Sequence, residues 1–277
     1  MPTAEAVTGG RGICEARGRL PEVAHLEIQY QVRWAWPTTW EADLLQWAVS
    51  TLQAFEKVVA MTRGERQARF NEIDVYPVTY ERLSGGRSNL EVLDAVIRGG
   101  ARIIQLREKE YSKRDLYRLA LTFREMSATA GMLLIMNDHL DIALAVGADG
   151  AHLGQDDLPL TAARRLAPEL LLGVSTHSLE QALQAETDGA DYVNIGPIFA
   201  TSTKAGVGHG LGPEAIASIG PRLSVPFTVM GGITSANLDQ VLARGARRIA
   251  MITAITQAPD IAEAVRVFRE RIRSYLS

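Results

Sequence analysis

An amide and an acid close one apolar run of this sequence, and two more acids follow the next. "MLLIMND" ends in Asn137 and Asp138, and "GAHLGQDD" ends in Asp156 and Asp157. Hard oxygen ligands on neighbouring loops are the arrangement that holds Mg²⁺, with water and substrate phosphate completing the octahedron. Asp138 and Asp157 are therefore the candidate metal pair, and a diphosphate would fit the remaining shell. Helix capping competes with that reading, because Asp is favoured at helix N-termini. Capping is the better account of Asp156, and for Asp138 the two accounts stay balanced on local residues alone.

Cations stand opposite these acids. Arg107 and Lys109 alternate in "QLREK", so along a strand both side chains point one way, and buried cations are costly without an anionic partner. A salt bridge to Asp138 or Glu108 would satisfy one isolated arginine. Two cations, together with Gln105 and Lys204, exceed what such bridges need and suit an anionic ligand. "GPIFATSTK" adds Thr201, Thr203 and Lys204 in a turn suited to phosphate oxygens, and "VMGGITSAN" supplies a Gly231–Gly232 pair of the kind that cradles phosphate before a helix. No acid/base catalyst is assigned. His152 reads as a packed, hydrogen-bonded imidazole inside a short strand; His139 and His177, like His209, read as surface or supporting groups, and His25 lies in the N-terminal extension. No Ser/His/Asp set is readable.

These residues need elements that bring them together. From residue 73 onward, eight short β-branched or apolar runs alternate with helical patterns: "IDVYPVTY", "RIIQLREK", "MLLIMND", "GAHLG", "LLLGVST", "YVNIGPIF", "PFTVMGG" and "RIAMITAI". Strands separated by helices are parallel, and eight such units predict a closed (β/α)8 barrel of the TIM class. The active site of that fold lies at the C-terminal strand ends, where Gln105, Arg107, Lys109, Asn137, Asp138, Asp157, Ser175, Thr201, Thr203, Lys204 and Gly232 all fall. A doubly wound open sheet is the weaker alternative, since "ERLSGGRSN" after the first strand lacks a dinucleotide-binding fingerprint.

The 277 residues divide into an extension over 1–72 and a barrel over 73–277. A net charge of −3 offers no basic field for nucleic acid, and no apolar run is long enough to span a bilayer. The single cysteine, Cys14, suits a reducing compartment, and the acidic N-terminus lacks a signal sequence, so a cytoplasmic location is expected. The extension holds all four tryptophans, Trp34, Trp36, Trp40 and Trp47. The stretch from Thr38 to Phe70, with Thr39 as N-cap, predicts one amphipathic helix. Its apolar face must pack on the barrel's outer wall or N-terminal end, or on another subunit in a homo-oligomer.

With "QLREK", "NDHLDIALAVGADGAHLGQDD", "GVSTHS", "GADYVNIGPIFATSTK" and "GGI" in this order, the chain resembles the thiamine phosphate synthase family over about residues 73 to 260. The resemblance implies transfer of the pyrimidine of 4-amino-2-methyl-5-(diphosphooxymethyl)pyrimidine to the ring nitrogen of 4-methyl-5-(2-phosphooxyethyl)thiazole, with release of diphosphate. It implies that Gln105, Arg107, Lys109, Asn137, Ser175 and Lys204 serve the pyrimidine diphosphate. Asp138 and Asp157 would hold Mg²⁺, while Thr201, Thr203, Gly232, Ile252 and Thr253 would hold the thiazole phosphate. Two departures, Met230 before the glycine pair and Thr253 where Ser is expected, bear on fit more than on chemistry. The paired acids argue against the metal-free thiazole tautomerases of the same fold, and against a silent barrel that only binds thiazole phosphate.

Overall fold

The computed structural model describes residues 61–201 and 210–276, and within them each apolar run of the sequence is a short parallel strand followed by helix. The elements are α1 (Arg63–Asn71), β1 (Val75–Pro77), α2 (Asn89–Arg98), β2 (Ile103–Leu106), α3 (Lys113–Thr129), β3 (Leu133–Asn137), α4 (Leu140–Ala145), β4 (Gly150–Leu153), α5 (Leu160–Leu166), β5 (Leu171–Thr176), α6 (Leu179–Thr187), β6 (Tyr192–Ile195), α7 (Glu214–Ile219), β7 (Phe227–Val229), α8 (Leu238–Leu242), β8 (Ile249–Met251), α9 (Thr253–Thr256) and α10 (Ile261–Leu276). Serine side chains start three of the helices: Ser88, Ser112 and Ser178 each accept the N–H three residues on, before α2, α3 and α6.

The eight strands run in the order β1-β8-β7-β6-β5-β4-β3-β2. A parallel bridge from Val78 to Gln105, with Thr79 N–H donating to the Gln105 carbonyl at 2.9 Å, joins β1 to β2 and closes the barrel. This is the (β/α)8 architecture that the alternation predicts.

Period-two alternation sorts each strand into two cores. Val75, Ile104, Leu106, Leu134, Met136, Leu172 and Val193 face the helical layer. Tyr76, Ile103, Leu133, Ile135, Leu171 and Tyr192 fill the barrel interior instead. The Tyr192 ring crosses that interior only because position 173 is glycine, where a Cβ would lie 2.1 Å from the ring. Toward the C-terminal strand ends the inward positions turn polar, with Gln105, Asn137, His152, Ser175, Asn194 and Thr228 in place of aliphatics.

The opposite end is sealed by ion pairs. Asp74, Asp149 and Asp191 stand immediately before β1, β4 and β6, and each lies between two arginines: Asp74 with Arg269 at 3.0 Å and Arg273 at 2.9 Å, Asp149 with Arg124 at 2.7 Å and Arg66 at 3.5 Å, and Asp191 with Arg63 at 2.6 Å and Arg164. Asp149 and Asp191 also accept the N–H groups of Leu134 and Leu172. Two of the arginines, Arg63 and Arg66, come from α1, whose Phe70 stacks on Tyr192 with ring centroids 4.2 Å apart.

Helix α1 lies in the stretch assigned above to the extension, yet it plugs the N-terminal end of the barrel. It also corrects the prediction of one continuous helix from Thr39. Thr62 is extended (φ −69°, ψ 161°) and forms a capping box with Glu65, so a separate helix begins at Arg63. Thr39, the four tryptophans and His25 lie outside the described residues. Among the described residues no helix is long and apolar enough to cross a membrane.

Candidate active site

A cavity of about 360 Å³ opens at the C-terminal strand ends. Of the residues singled out from the sequence, Gln105, Arg107, Lys109, Asn137, Asp138, Asp157, Ser175, Thr201, Gly232, Ile252 and Thr253 all line it. Thr203 and Lys204, with His209, lie outside the described residues.

The sharp end of β3 answers why an apolar run delivers an acid. Asn137 is the last strand residue, and Asp138 then takes a left-handed conformation (φ 61°), the only non-glycine among the described residues with positive φ. Aspartate tolerates that region better than most side chains, and a strained residue at a strand end marks a site more often than a scaffold. Its carboxylate meets the Lys109 ammonium. It caps nothing: α4 begins after His139, with no side-chain cap.

Asp157 sits across from it, its Oδ2 accepting the Gly154 N–H at 2.6 Å. Burial pushes its carboxyl up, and the charge of the neighbouring Asp138 carboxylate pushes it further. Two carboxylates that oppose each other's ionisation favour a proton or a cation between them. The capping account of Asp156 fails as well, because α5 begins after Pro159 without a side-chain cap; Asp156 is an exposed residue on the cavity wall. Among the described residues no group of three or more His, Cys, Asp or Glu side chains converges as a metal site. Two carboxylates whose remaining positions are left to water and substrate oxygens fit Mg²⁺, which keeps much of its shell in that form.

The cations divide unequally. Strand β2 ends at Leu106, so Arg107 and Lys109 belong to the loop after it, not to the strand itself. The alternation persists there. Glu108, between them, turns away and is buried, accepting the Glu81 N–H at 2.7 Å and the Asn89 amide at 2.8 Å. Lys109 has its salt bridge, whereas Arg107 has none to a described carboxylate, and its Nη1 is buried without a partner among the described residues.

A buried polar chain links two walls of the cavity. Gln105 Nε2 donates to the Tyr76 hydroxyl at 3.0 Å, and that hydroxyl lies 3.0 Å from Tyr192 Oη. Tyr192 Oη in turn lies 3.1 Å from His152 Nδ1, and His152 Nε2 is 2.9 Å from Ser175 Oγ. One donor order runs through the whole chain: Gln105 to Tyr76 to Tyr192 to His152 Nδ1, with Nε2–H donating to Ser175. The Ser175 hydroxyl is then left to donate into the cavity. Although His152 and Ser175 touch, the group on the far side of the ring, at Nδ1, is a phenol that burial holds protonated and not the carboxylate of a Ser/His/Asp set.

The glycine pair after β7 adopts φ of 105° and 62°. A Cβ on Gly232 would meet the Ala200 carbonyl at 2.6 Å, so the loop packs directly against the backbone leading to Thr201. Five residues separate Gly232 from α8, which begins at Leu238, so the pair does not stand at a helix N-terminus as its motif suggests. Asn237 bridges the gap, its Nδ2 donating to the Gly232 carbonyl at 2.9 Å and its Oδ1 accepting the Thr234 N–H at 2.7 Å. Ile252 and Thr253 open the single turn α9 at the end of β8.

Tyr76, Tyr192, Tyr80 and Gln155 are the site residues that sequence patterns do not announce. Tyr76 and Tyr192 carry one usable signal: a tyrosine on an inward strand position needs a partner for its hydroxyl.

Comparison with known proteins decides the family. The family model for thiamine monophosphate synthase matches residues 75–255. The chain belongs to the thiamine monophosphate synthase family. It is 47% identical over 195 residues to a thiamine-phosphate synthase of Chloroflexus aurantiacus, covering 70% of this chain and 90% of that one. It is 46% identical over 210 residues to the thiamine-phosphate synthase of Pelotomaculum thermopropionicum, covering 76% of this chain and 96% of the relative. The solved thiamine phosphate pyrophosphorylase from Pyrococcus furiosus superposes with a TM-score of 0.70 at 34% identity, over 76% of this chain and all of that one.

Proposed function

We propose that the chain is a Mg²⁺-dependent thiamine phosphate synthase that joins the two substrates named above into thiamine phosphate and diphosphate. The observation that carries this reading is the meeting of Asp138, Asp157, Lys109 and an Arg107 without a salt bridge to a described carboxylate around one cavity, in a chain of this family. In the reaction the methylene C–O bond of the pyrimidine breaks and its electron pair leaves with the diphosphate. The ring amine stabilises the resulting cation, and the lone pair of the thiazole nitrogen closes the new C–N bond.

No residue has to remove a proton from carbon, which suits a rim without a strong base. The protein's task is to bind and orient charge. Arg107, Lys109 and Lys204 neutralise the diphosphate, and the Ser175 hydroxyl donates to one of its oxygens. Gln105 and Asn137 orient the pyrimidine. Thr201, Thr203, Gly232, Ile252 and Thr253 hold the thiazole phosphate across the cavity. Asp138 and Asp157 would hold Mg²⁺, which when bound neutralises developing charge on the leaving diphosphate. The single cysteine and the small-molecule chemistry suit a cytoplasmic enzyme with no nucleic-acid or membrane partner.

The test is incubation of the full chain with both substrates and Mg²⁺, followed by mass spectrometry. The expected result is thiamine phosphate and diphosphate in equal amounts. Absence of both, from a folded sample, overturns the reading.

A further inference from the structure

Arg107 raises a problem that its own site does not solve. The side chain is half-buried, it makes no salt bridge to a described carboxylate, and its Nη1 has no hydrogen-bond partner. Burial depresses its pKa, with Asp138 opposing that effect from a distance. A cation held this way needs something to fix it. Its backbone is fixed, since the Arg107 N–H donates to Thr79 Oγ1 at 3.0 Å, but that leaves the guanidinium free to turn.

Tyr80 lies against it. The guanidinium carbon stands 4.6 Å from the centroid of the Tyr80 ring. The Tyr80 backbone is held, its carbonyl accepting Leu83 N–H at 2.8 Å and Ser84 Oγ–H at 2.9 Å, and the ring's hydroxyl reaches Glu110 at 3.5 Å. The next residue, Glu81, is tied through its N–H to Glu108 at 2.7 Å, on the same loop as Arg107. From the other side, Thr256 Oγ1 donates to the Leu83 carbonyl at 2.9 Å and Arg87 donates to the carbonyls of Thr256 and Ala258. The loop after β1 is thus clamped between the loops after β2 and β8.

A ring face stabilises a guanidinium without using any of its N–H groups, whereas a carboxylate would occupy two of them. From this geometry we infer that Tyr80 is a positioning residue: its ring holds the Arg107 guanidinium flat so that its N–H edge stays available to the diphosphate of the substrate. This inference rests on the reading of the cavity as a pyrimidine-diphosphate site, and deepens it.

The test is calorimetric titration of inorganic diphosphate, with Mg²⁺ present, into the full chain and its variants. Binding of this probe needs no turnover, so it separates the role of Tyr80 from the question of which reaction follows. Tyr80→Leu should weaken diphosphate binding about tenfold, within what a partly desolvated cation–π contact supplies. Tyr80→Phe keeps the ring and should bind within about twofold of the parent. In an Arg107→Ala background, Tyr80→Leu should have no further effect. Steady-state kinetics of Tyr80→Leu should show the loss in KM for the pyrimidine diphosphate and not for the thiazole phosphate. Equal binding by Tyr80→Leu, failure of Tyr80→Phe to restore binding, a further loss in the Arg107→Ala background, or no diphosphate binding by the parent chain would each overturn the inference. Absent thiamine phosphate formation with the binding pattern intact would instead count against the proposed reaction alone. If Tyr80→Leu does not fold, Tyr80→Phe and Tyr80→Trp decide the matter, because a retained ring face must retain binding.

Discussion

The two ends of the barrel use the same residue types in opposite ways. At the N-terminal end, three aspartates each stand between two arginines and each also accepts a strand N–H group, and α1 supplies two of the arginines. At the C-terminal end, two neighbouring aspartates oppose each other's ionisation, one of them in a left-handed conformation, beside an arginine that makes no salt bridge to a described carboxylate. Each aspartate at the first end is paired within the protein; at the second, Asp138 is paired with Lys109, while among the described residues Asp157 and Arg107 have no ion pair and are left for something else to match. A fold can afford such an imbalance where a ligand completes it, and the matched end supplies the rigidity on which the unmatched one depends.

Removing the metal should break this contrast most severely. With excess EDTA, diphosphate release should fall by about a thousandfold or more, since the ion is asked to supply several kcal/mol of charge stabilisation; restoring Mg²⁺ should return it. Next in size is the matched end. Arg124→Ala strips Asp149 of its closest partner, and breaking a buried pair of this kind costs about 3–5 kcal/mol. Chemical denaturation should show that loss, while kcat/KM of the remaining folded protein stays close to the parent.

Between the two ends runs the tyrosine chain, so Tyr192→Phe should register at both. Losing that hydroxyl leaves Tyr76 and His152 short of a partner, for about 1–2 kcal/mol of stability and a severalfold rise in KM for the pyrimidine diphosphate. An effect on stability with no change in KM would detach the chain from the site.

The smallest effect is that of pH. Because burial and Asp138 hold the Asp157 carboxyl above the usual aspartate range, the native chain without metal keeps that proton longer than the unfolded chain does. Its stability should therefore fall slightly as pH rises through that window. Mg²⁺ needs the deprotonated form, so its affinity should fall as pH drops through the same window, beginning at a higher pH than for an ordinary aspartate. Titration of Mg²⁺ across the acidic range checks the sign.

The barrel was legible because period-two alternation, helix caps and strand-end polarity all follow from local rules, and those rules agree with one another along "MLLIMND" and "RIIQLREK". The site was legible to the extent that its residues sit at strand ends. What local pattern could not supply was partnership. Nothing in "QLREK" says that Lys109 finds Asp138 while Arg107 finds an aromatic face, and nothing in "GQDD" says that Asp156 stands outside any helix cap. Tyr76 and Tyr192 read as core residues until their hydroxyls are set against groups 29 to 116 positions away, and Tyr80 does so until its ring meets Arg107. The helix boundary at Thr62 was written plainly as a Thr-x-x-Glu capping box, but the apolar spacing upstream masked it.

The most direct test pairs one isosteric change at each end, Asp157→Asn and Asp149→Asn, and measures kcat/KM and melting temperature for both. The account predicts that Asp157→Asn loses about a hundredfold in kcat/KM while melting within about 3 °C of the parent, because it relieves one of two crowded carboxylates. It predicts that Asp149→Asn melts about 5–10 °C lower yet keeps kcat/KM within about twofold when assayed well below that transition. If Asp157→Asn destabilised the fold and spared turnover, or if Asp149→Asn abolished turnover without lowering the melting temperature, the division of labour between the two ends would be contradicted.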